Sequence, residues 1–127
     1  MTSTHTLTLA ELARRAFAAN DARDIDALSE LVTDDVRLTF GNAGTVTGRD
    51  AFRKASADFN ASVASFSHEI TALLEVPDAG VVVAELSVTY RRLDGSELTL
   101  PCCNVFRVRD GRIADYRIYM DINPVFA

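Results

Sequence analysis

The sequence predicts an α+β domain, because helical periodicity fills its first half, apolar–polar alternation fills its second, and glycine-containing turns part the alternating segments. Thr8-Leu9-Ala10-Glu11 has the form of a capping box, and Leu9, Leu12, Ala16 and Phe17 recur at helical spacing until Asn20-Asp21. The residues ahead of this helix, His5 among them, read as a mobile tail. Asp24 suits the cap of a shorter helix carrying Ile25, Leu28, Leu31 and Val32. Val36, Leu38 and Phe40 then alternate with Arg37 and Thr39 as in a half-buried strand, and Gly41-Asn42-Ala43-Gly44 forms a loop. Thr47-Gly48-Arg49-Asp50 reads as a second capping box, opening a helix that turns Phe52, Ala55, Phe59 and Val63 to the core. Four strands follow, over roughly 65–76, 81–92, 96–108 and 112–121, parted by Pro77-Asp78-Ala79-Gly80, Asp94-Gly95 and Asp110-Gly111. Three N-terminal helices packed on an antiparallel sheet, in a single domain over 1–127, is the resulting expectation.

Composition narrows the function classes. A chain of 127 residues, 48% hydrophobic and 24% charged, is long enough for one core and too apolar for a disordered segment. Its 18 acidic against 13 basic residues give a net charge of −5, which repels a polyphosphate backbone and does not attract anionic lipid. Neither nucleic acid nor a membrane is therefore expected as a partner. No run nears the roughly 18 apolar residues of a spanning helix, and the start shows no basic segment leading an apolar one, so the sequence reads as cytoplasmic. Cys102 and Cys103 are adjacent, and neighbours in a strand point to opposite faces, so both are expected as free thiols. Two histidines, two adjacent cysteines and scattered acids reproduce no metal-ligand spacing, and no glycine-rich loop opens a helix, so neither metal nor cofactor is expected.

Alternation assigns the faces of the meander. Leu86, Val88 and Tyr90 interleave with Glu85, Ser87, Thr89 and Arg91, so even numbers point inward. The same parity collects Leu98, Leu100, Cys102, Asn104, Phe106 and Val108, then Tyr116, Ile118 and Met120, and also His68. Even pairs with even if the tight hairpins close through three-residue loops. A bulge at Gly111 then sets Asn104 opposite Tyr116 and Cys102 opposite Ile118, and one at Gly95 sets Leu86 opposite Cys102 and Ala84 opposite Asn104. A longer loop at Pro77 sets His68 opposite Tyr90, which leaves His68 and Asn104 on the order of 15–20 Å apart by strand rise.

This layout resembles the SnoaL-like, or NTF2-like, cone fold, in which the helices pack on a curved sheet. The resemblance spans nearly the whole chain and is carried by Asp34-Asp35-Val36, Gly48-Arg49-Asp50-Ala51-Phe52, the run from Phe106 to Ile113, and Tyr116-Arg117-Ile118-Tyr119-Met120-Asp121. It implies kinship with polyketide cyclases, ketosteroid isomerases, limonene epoxide hydrolases, scytalone dehydratases and members without chemistry, so the pocket must decide the function. Matched residue by residue, the arginine and two aspartates of the epoxide hydrolases fall on Leu86, Val88 and Ile118, and their water-holding tyrosine and asparagine on Leu38 and Phe40. The water-activating set is absent. The histidine and aspartate of the cyclases fall on Asn104 and Ile118, and no inward carboxylate offers the base of the isomerases.

Three residues remain as catalytic candidates: His68, Tyr90 and Asn104. His68 reads either as a general base with Tyr90 as acid, or as a core histidine held by one hydrogen bond, since no carboxylate is visible to orient it. Asn104, the lone amide on an apolar face, needs a ligand carbonyl, a water or the Tyr116 hydroxyl. Leu38, Phe40, Leu86, Val88, Leu100, Cys102, Tyr116, Ile118 and Met120 are the expected binding wall, with Cys102 as packing. Asp121 reads as a strand-end residue bonded to backbone or to Arg117, and Asp21, Asp24, Asp26, Asp34 and Asp35 as residues of helix ends and turns. The outward face mixes Thr71, Leu73, Val83, Ser87, Thr89, Cys103, Val105 and Tyr119 with charges, which suggests a two-fold homodimer. Two readings of function stay open. One is a cofactor-free isomerase, cyclase or dehydratase acting on a small hydrophobic cyclic or polyketide-like molecule; the other is a non-catalytic ligand-binding or dimeric interaction module of the same superfamily.

Overall fold

The computed structural model describes residues 7–127, so the expected N-terminal tail over residues 1–6 lies outside the described residues. Thr8 caps α1 (Leu9–Asp21) with the full reciprocal box: its side chain accepts from the Glu11 N–H, and Glu11 accepts from the Thr8 N–H. Asp24 caps α2 (Ile25–Glu30) by accepting from the Ala27 N–H. The chain continues through β1 (Val32–Phe40), a two-residue β2 (Val46–Thr47) and α3 (Arg49–Ser62). Four long strands then follow as β3 (Ser65–Val76), β4 (Val81–Arg91), β5 (Glu97–Arg109) and β6 (Arg112–Tyr119), with a short 3-10 turn over Asn123–Phe126.

Two expectations about the architecture are corrected. The three helices do not all precede the sheet, because β1 and β2 lie between α2 and α3. The sheet is also mixed: its order is β2-β1-β6-β5-β4-β3, and β1 runs parallel to β6 because the chain crosses over through α3 and the meander before returning beside it. At the start of α3 there is no second capping box, since Gly48 takes the cap position with a positive φ and has no side chain to accept a bond. Arg49 does the joining there instead. Its guanidinium donates to the Ser29 and Val32 carbonyls at 3.1 and 2.6 Å and pairs with Asp34, which staples α3 to the junction of α2 and β1.

The even-parity inward face is real, but two hairpins reach it by another route. Asp110-Gly111 is a two-residue turn with φ of 52° and 78°, the type I′ geometry, and even–even pairing returns only through a bulge that leaves Ala114 unpaired. Asn104 therefore lies opposite Ile118 rather than Tyr116, and Phe106 opposite Tyr116. Likewise a bulge at Thr71 and a four-residue connection at Pro77 place Phe66, not His68, opposite Tyr90, and His68 opposite Val88. Beyond that bulge odd residues of β3 turn inward, so Leu73 packs on the core instead of the outer face. The Gly95 hairpin has the expected register, with Leu86 opposite Cys102 and Ala84 opposite Asn104.

Between the layers, Leu12, Ala16 and Phe17 of α1 and Phe52 of α3 bury themselves against Val82, Val88, Phe106 and Tyr116 of the sheet. Phe106 is fully buried and touches Phe17 and Tyr116 at ring distances of 5.6 and 4.5 Å, a burial worth about 2–3 kcal/mol over exposure. Among the described residues no helix is long and apolar enough to cross a membrane.

The hairpin before β4 is a place where backbone geometry favours glycine strongly. Gly80 has φ of 65°, and a Cβ there would stand 2.9 Å from the Val108 carbonyl oxygen. Gly80→Ala is expected to lower stability by more than about 1 kcal/mol, because left-handed strain and a backbone clash add. Gly44→Ala, which meets nothing within 4 Å, should stay within about 0.5 kcal/mol of the parent, and urea denaturation of the two variants checks the contrast.

Candidate active site

The helices and the inward sheet face enclose a cavity of about 220 Å³. This is below the roughly 300–1,000 Å³ of sites for drug-sized ligands, so it suits a small molecule. Its walls are mostly apolar. Leu38 and Phe40 come from β1, Phe52, Ala55 and Phe59 from α3, Phe66, Val88 and Cys102 from the meander, and Ile118 and Met120 from the last strand and its end. Seven polar side chains interrupt that wall: Asn20, Ser56 and Asn60 from the helices, and His68, Tyr116, Asn104 and Tyr90 from the sheet, and each of the four on the sheet has a hydrogen-bond partner.

The first is His68. Its Nδ1 lies 2.5 Å from Asp21 Oδ1, and its backbone N–H donates to both oxygens of the same carboxylate at 3.1 and 3.2 Å. β3 is the edge of the sheet, so this N–H has no strand to receive it, and the last turn of α1 supplies the acceptor. A carboxylate at Nδ1 selects the tautomer protonated there and leaves Nε2 as a lone-pair acceptor. Nε2 has no hydrogen-bond partner among the described residues, and the imidazole is held between Phe17 and Phe66 at ring distances of 5.1 and 5.6 Å. The side chain is 12% exposed and that of Asp21 is 32% exposed. Position, orientation and a free basic edge are the requirements of a general base.

The second is Tyr116, whose hydroxyl accepts from Asn20 Nδ2 at 2.8 Å. The third is Asn104, 2% exposed, whose Oδ1 receives the Cys102 thiol at 3.2 Å while Nδ2 has no protein acceptor among the described residues. Tyr90 is the fourth, and its hydroxyl donates to Met120 Sδ at 3.3 Å. Burial holds both phenols well above the usual tyrosine range, with Asp21 and Cys102 adding to the effect at Tyr116, so both stay neutral. Burial also pushes the Cys102 thiol up to about 12, helped by Cys103, which makes it a weak donor and not a nucleophile. Both cysteines are free.

All three catalytic candidates, His68, Tyr90 and Asn104, line this one cavity, although His68 and Asn104 sit beside β4 residues four apart. Of the expected binding wall, Leu38, Phe40, Val88, Cys102, Tyr116, Ile118 and Met120 line it, whereas Leu86 and Leu100 do not and pack within the core. Asn104 is met by Cys102 and not by the Tyr116 hydroxyl. Asp121 bonds to backbone as expected, accepting from the Asn123 N–H. Asp24 caps a helix and Asp26 lies in the first turn of α2, where it pairs with Arg53, whereas Asp34 and Asp35 lie in β1 rather than in a turn and pair with Arg49 and Arg109; Asp21 stands at a helix end as expected but bonds to His68.

Asp21 and Asn20 were missed by sequence reasoning, yet a signal was present. Aspartate is stabilising at a helix N-terminus, but Asp21 occupies the last turn of α1, where the macrodipole disfavours a carboxylate and no basic residue compensates. A carboxylate in an unfavourable place is one held by something else. The polar residues contributed by α3, Ser56 and Asn60, carry no such signal, being ordinary on a helix surface. Among the described residues no three His, Cys, Asp or Glu side chains converge as metal ligands.

Comparison with known proteins places this geometry in a family. In structure the chain is similar to a protein of Pseudomonas putida KT2440 described as a candidate polyketide cyclase, with 22% identity, coverage of 92% of this chain and 94% of that one, and a TM-score of 0.82. It is similar to an LEH-like epoxide hydrolase of M. tuberculosis at 19% identity, covering 93% and 86% of the two chains with a TM-score of 0.78. A protein of Catenulispora acidiphila DSM 44928 with a ketosteroid isomerase-like fold, solved in complex with trimethylamine, shares 20% identity over 93% and 91% of the chains at a TM-score of 0.83. At these identities the likeness shows the NTF2-like fold alone. No curated protein matches the chain in sequence. The family model of the SnoaL-like domain matches residues 13–116, most of the chain, and the chain belongs to the SnoaL-like domain family.

Proposed function

We propose that this protein is a cofactor-free acid–base enzyme that isomerises, cyclises or dehydrates a small, mostly hydrophobic, cyclic or polyketide-like molecule. The observation that carries the reading is the 2.5 Å contact of His68 Nδ1 with Asp21 at the wall of an apolar cavity. A histidine that only filled the core would need one hydrogen bond, and would have no reason to keep Nε2 free beside a space of 220 Å³. Here Asp21 fixes the imidazole and stabilises the cation formed when Nε2 takes a proton. The proton leaves a carbon next to an electron-withdrawing group, the C–H electron pair moves toward that group, and the same imidazolium returns the proton to another atom of the substrate. Neutral hydroxyl and amide donors in the wall hold the charge that develops.

This arrangement differs from the matched machinery of the relatives. Leu86, Val88 and Ile118 keep their apolar character where a water-activating set would stand, and Val88 and Ile118 face the cavity. The base in this chain therefore comes from the end of α1 and from β3, not from the central strands. The competing reading, a module that binds without turnover, accounts for the apolar wall but gives the carboxylate-oriented imidazole no proton to move. Assembly as a homodimer through the outer sheet face belongs to the same proposal: Tyr119 stands half-exposed there on a face that mixes apolar and charged residues.

Cyclic ketones, hydroxylated aromatics, steroids and terpenoids, screened by thermal shift, identify a ligand by the stability that it adds. For a ligand with a carbonyl, exchange of its α-protons into deuterated water, followed by NMR, reads the base directly. His68→Ala is expected to bind the ligand and to lose exchange by about 10²–10⁴-fold, and Asp21→Asn to lose it in the same direction. Equal exchange in the parent and in His68→Ala would reject the enzyme and leave the binding module. Sedimentation at micromolar concentration should show a dimer, and a monomer alone would remove the outer-face interface.

A further inference from the structure

Asn20 and Asp21 are consecutive residues in the last turn of α1, and each fixes one polar group of the cavity. Asp21 takes the Nδ1 proton of His68, so that group offers an acceptor. Asn20 does the opposite at Tyr116. Its Nδ2 donates to the phenol oxygen at 2.8 Å, which occupies that oxygen as an acceptor and leaves the hydroxyl proton without a partner among the described residues. Burial keeps this proton on the oxygen. Tyr90 is not equivalent, because its proton is already directed at Met120 Sδ.

Asn104 is set in the same sense. The Cys102 thiol donates to its Oδ1, so the amide turns Nδ2 and its two protons away from the thiol. Asn104 lies opposite Ile118, one pair from the row in which Phe106 faces Tyr116. Asn104 and Tyr116 are therefore diagonal neighbours on the inward face, with Cβ atoms about 7–8 Å apart or less, and both line the cavity. A hydroxyl or an amide ordinarily serves as donor or acceptor, but here each acceptor oxygen already receives one donor from inside the protein.

We infer that the cavity recognises a ketone or enolate oxygen at Tyr116 and Asn104, and that Asn20 and Cys102 are positioning residues that make these two groups donors. The inference rests on the proposed reading of the cavity as a ligand site and adds the group that the ligand must carry. It requires the oxygen to be an acceptor without a proton of its own to give, which separates ketones from hydrocarbons of the same shape.

Acetophenone and α-methylstyrene form the matched pair of probes, since they differ only in C=O against C=CH₂. NMR titration of the intact protein with each gives their affinity ratio, and a ratio cancels general changes of pocket shape. The parent is expected to prefer the ketone about tenfold, the value of one to two modest hydrogen bonds. Tyr116→Phe should reduce this preference several-fold, and Asn20→Leu should reduce it by a similar factor. Because Asn20 acts through Tyr116, Asn20→Leu should have no further effect on the ratio in the Tyr116→Phe background. Equal affinity of the parent for the two probes, failure of the ketone to bind, or an Asn20→Leu effect that persists without the hydroxyl would overturn the inference. Ketone preference without exchange of the α-protons would sustain it and reject only the enzyme.

Discussion

One carboxylate joins the two layers beside the cavity, where the proposed base stands. Asp21 ends α1 in the turn where the helix macrodipole disfavours a negative charge, and it reaches across to the edge of the sheet to accept both the backbone N–H and the ring Nδ1 of His68. Three hydrogen bonds to one side chain offset that cost and do two things at once. They close an unpaired edge of β3, and they hold the imidazole in one tautomer against Phe17 and Phe66. The backbone beyond α1 supports this placement. Arg23 takes a left-handed conformation, its N–H and that of Asp24 close the helix onto Asn20 and Ala19, and its guanidinium bonds to Val63 and Ala64 where α3 gives way to β3.

Around this tie the cavity divides its work between walls and a few polar groups. The walls come from facing elements whose apolar residues would be in the core of any such domain, and they supply exclusion of water and little discrimination. Direction comes from hydrogen bonds whose sense is fixed inside the protein: thiol to amide, amide to phenol, imidazole to carboxylate. Each of these donors or acceptors is presented with its other valence unused, so the site is organised before any ligand arrives. At the positions that the resemblance matched to the water-activating groups, this chain carries the apolar residues Leu86, Val88 and Ile118. The scaffold is shared and the constellation is this chain's own.

Much of the fold was legible because its signals are local. The capping box at Thr8, the cap at Asp24, the bounds of four strands and the even-numbered inward face all follow from residues a few positions apart. What was not legible depends on where chain segments meet. Parity demanded even–even pairing but could not say whether a three-residue loop or a two-residue turn with a later bulge would deliver it, and the second moved Asn104 by one row. A bulge at Thr71 did the same for His68. The pocket face was readable from alternation, which is why His68, Tyr90 and Asn104 were expected on the inward face where they line the cavity. Asp21 and Asn20 lie 47 and 96 residues from the groups that they bond, and such contacts leave a trace in the sequence only as a carboxylate in an unfavourable turn.

The central claim is that His68 is held as an oriented base, and its protonation pattern tests this without a substrate. Long-range ¹H–¹⁵N NMR of the imidazole distinguishes the two neutral tautomers directly. The account predicts a protonated Nδ1 and a bare Nε2 for the neutral ring in the folded protein, with the Nδ1 proton shifted far downfield by Asp21 and the pattern lost in Asp21→Asn. A proton on Nε2, or a spectrum unchanged by that substitution, would contradict it.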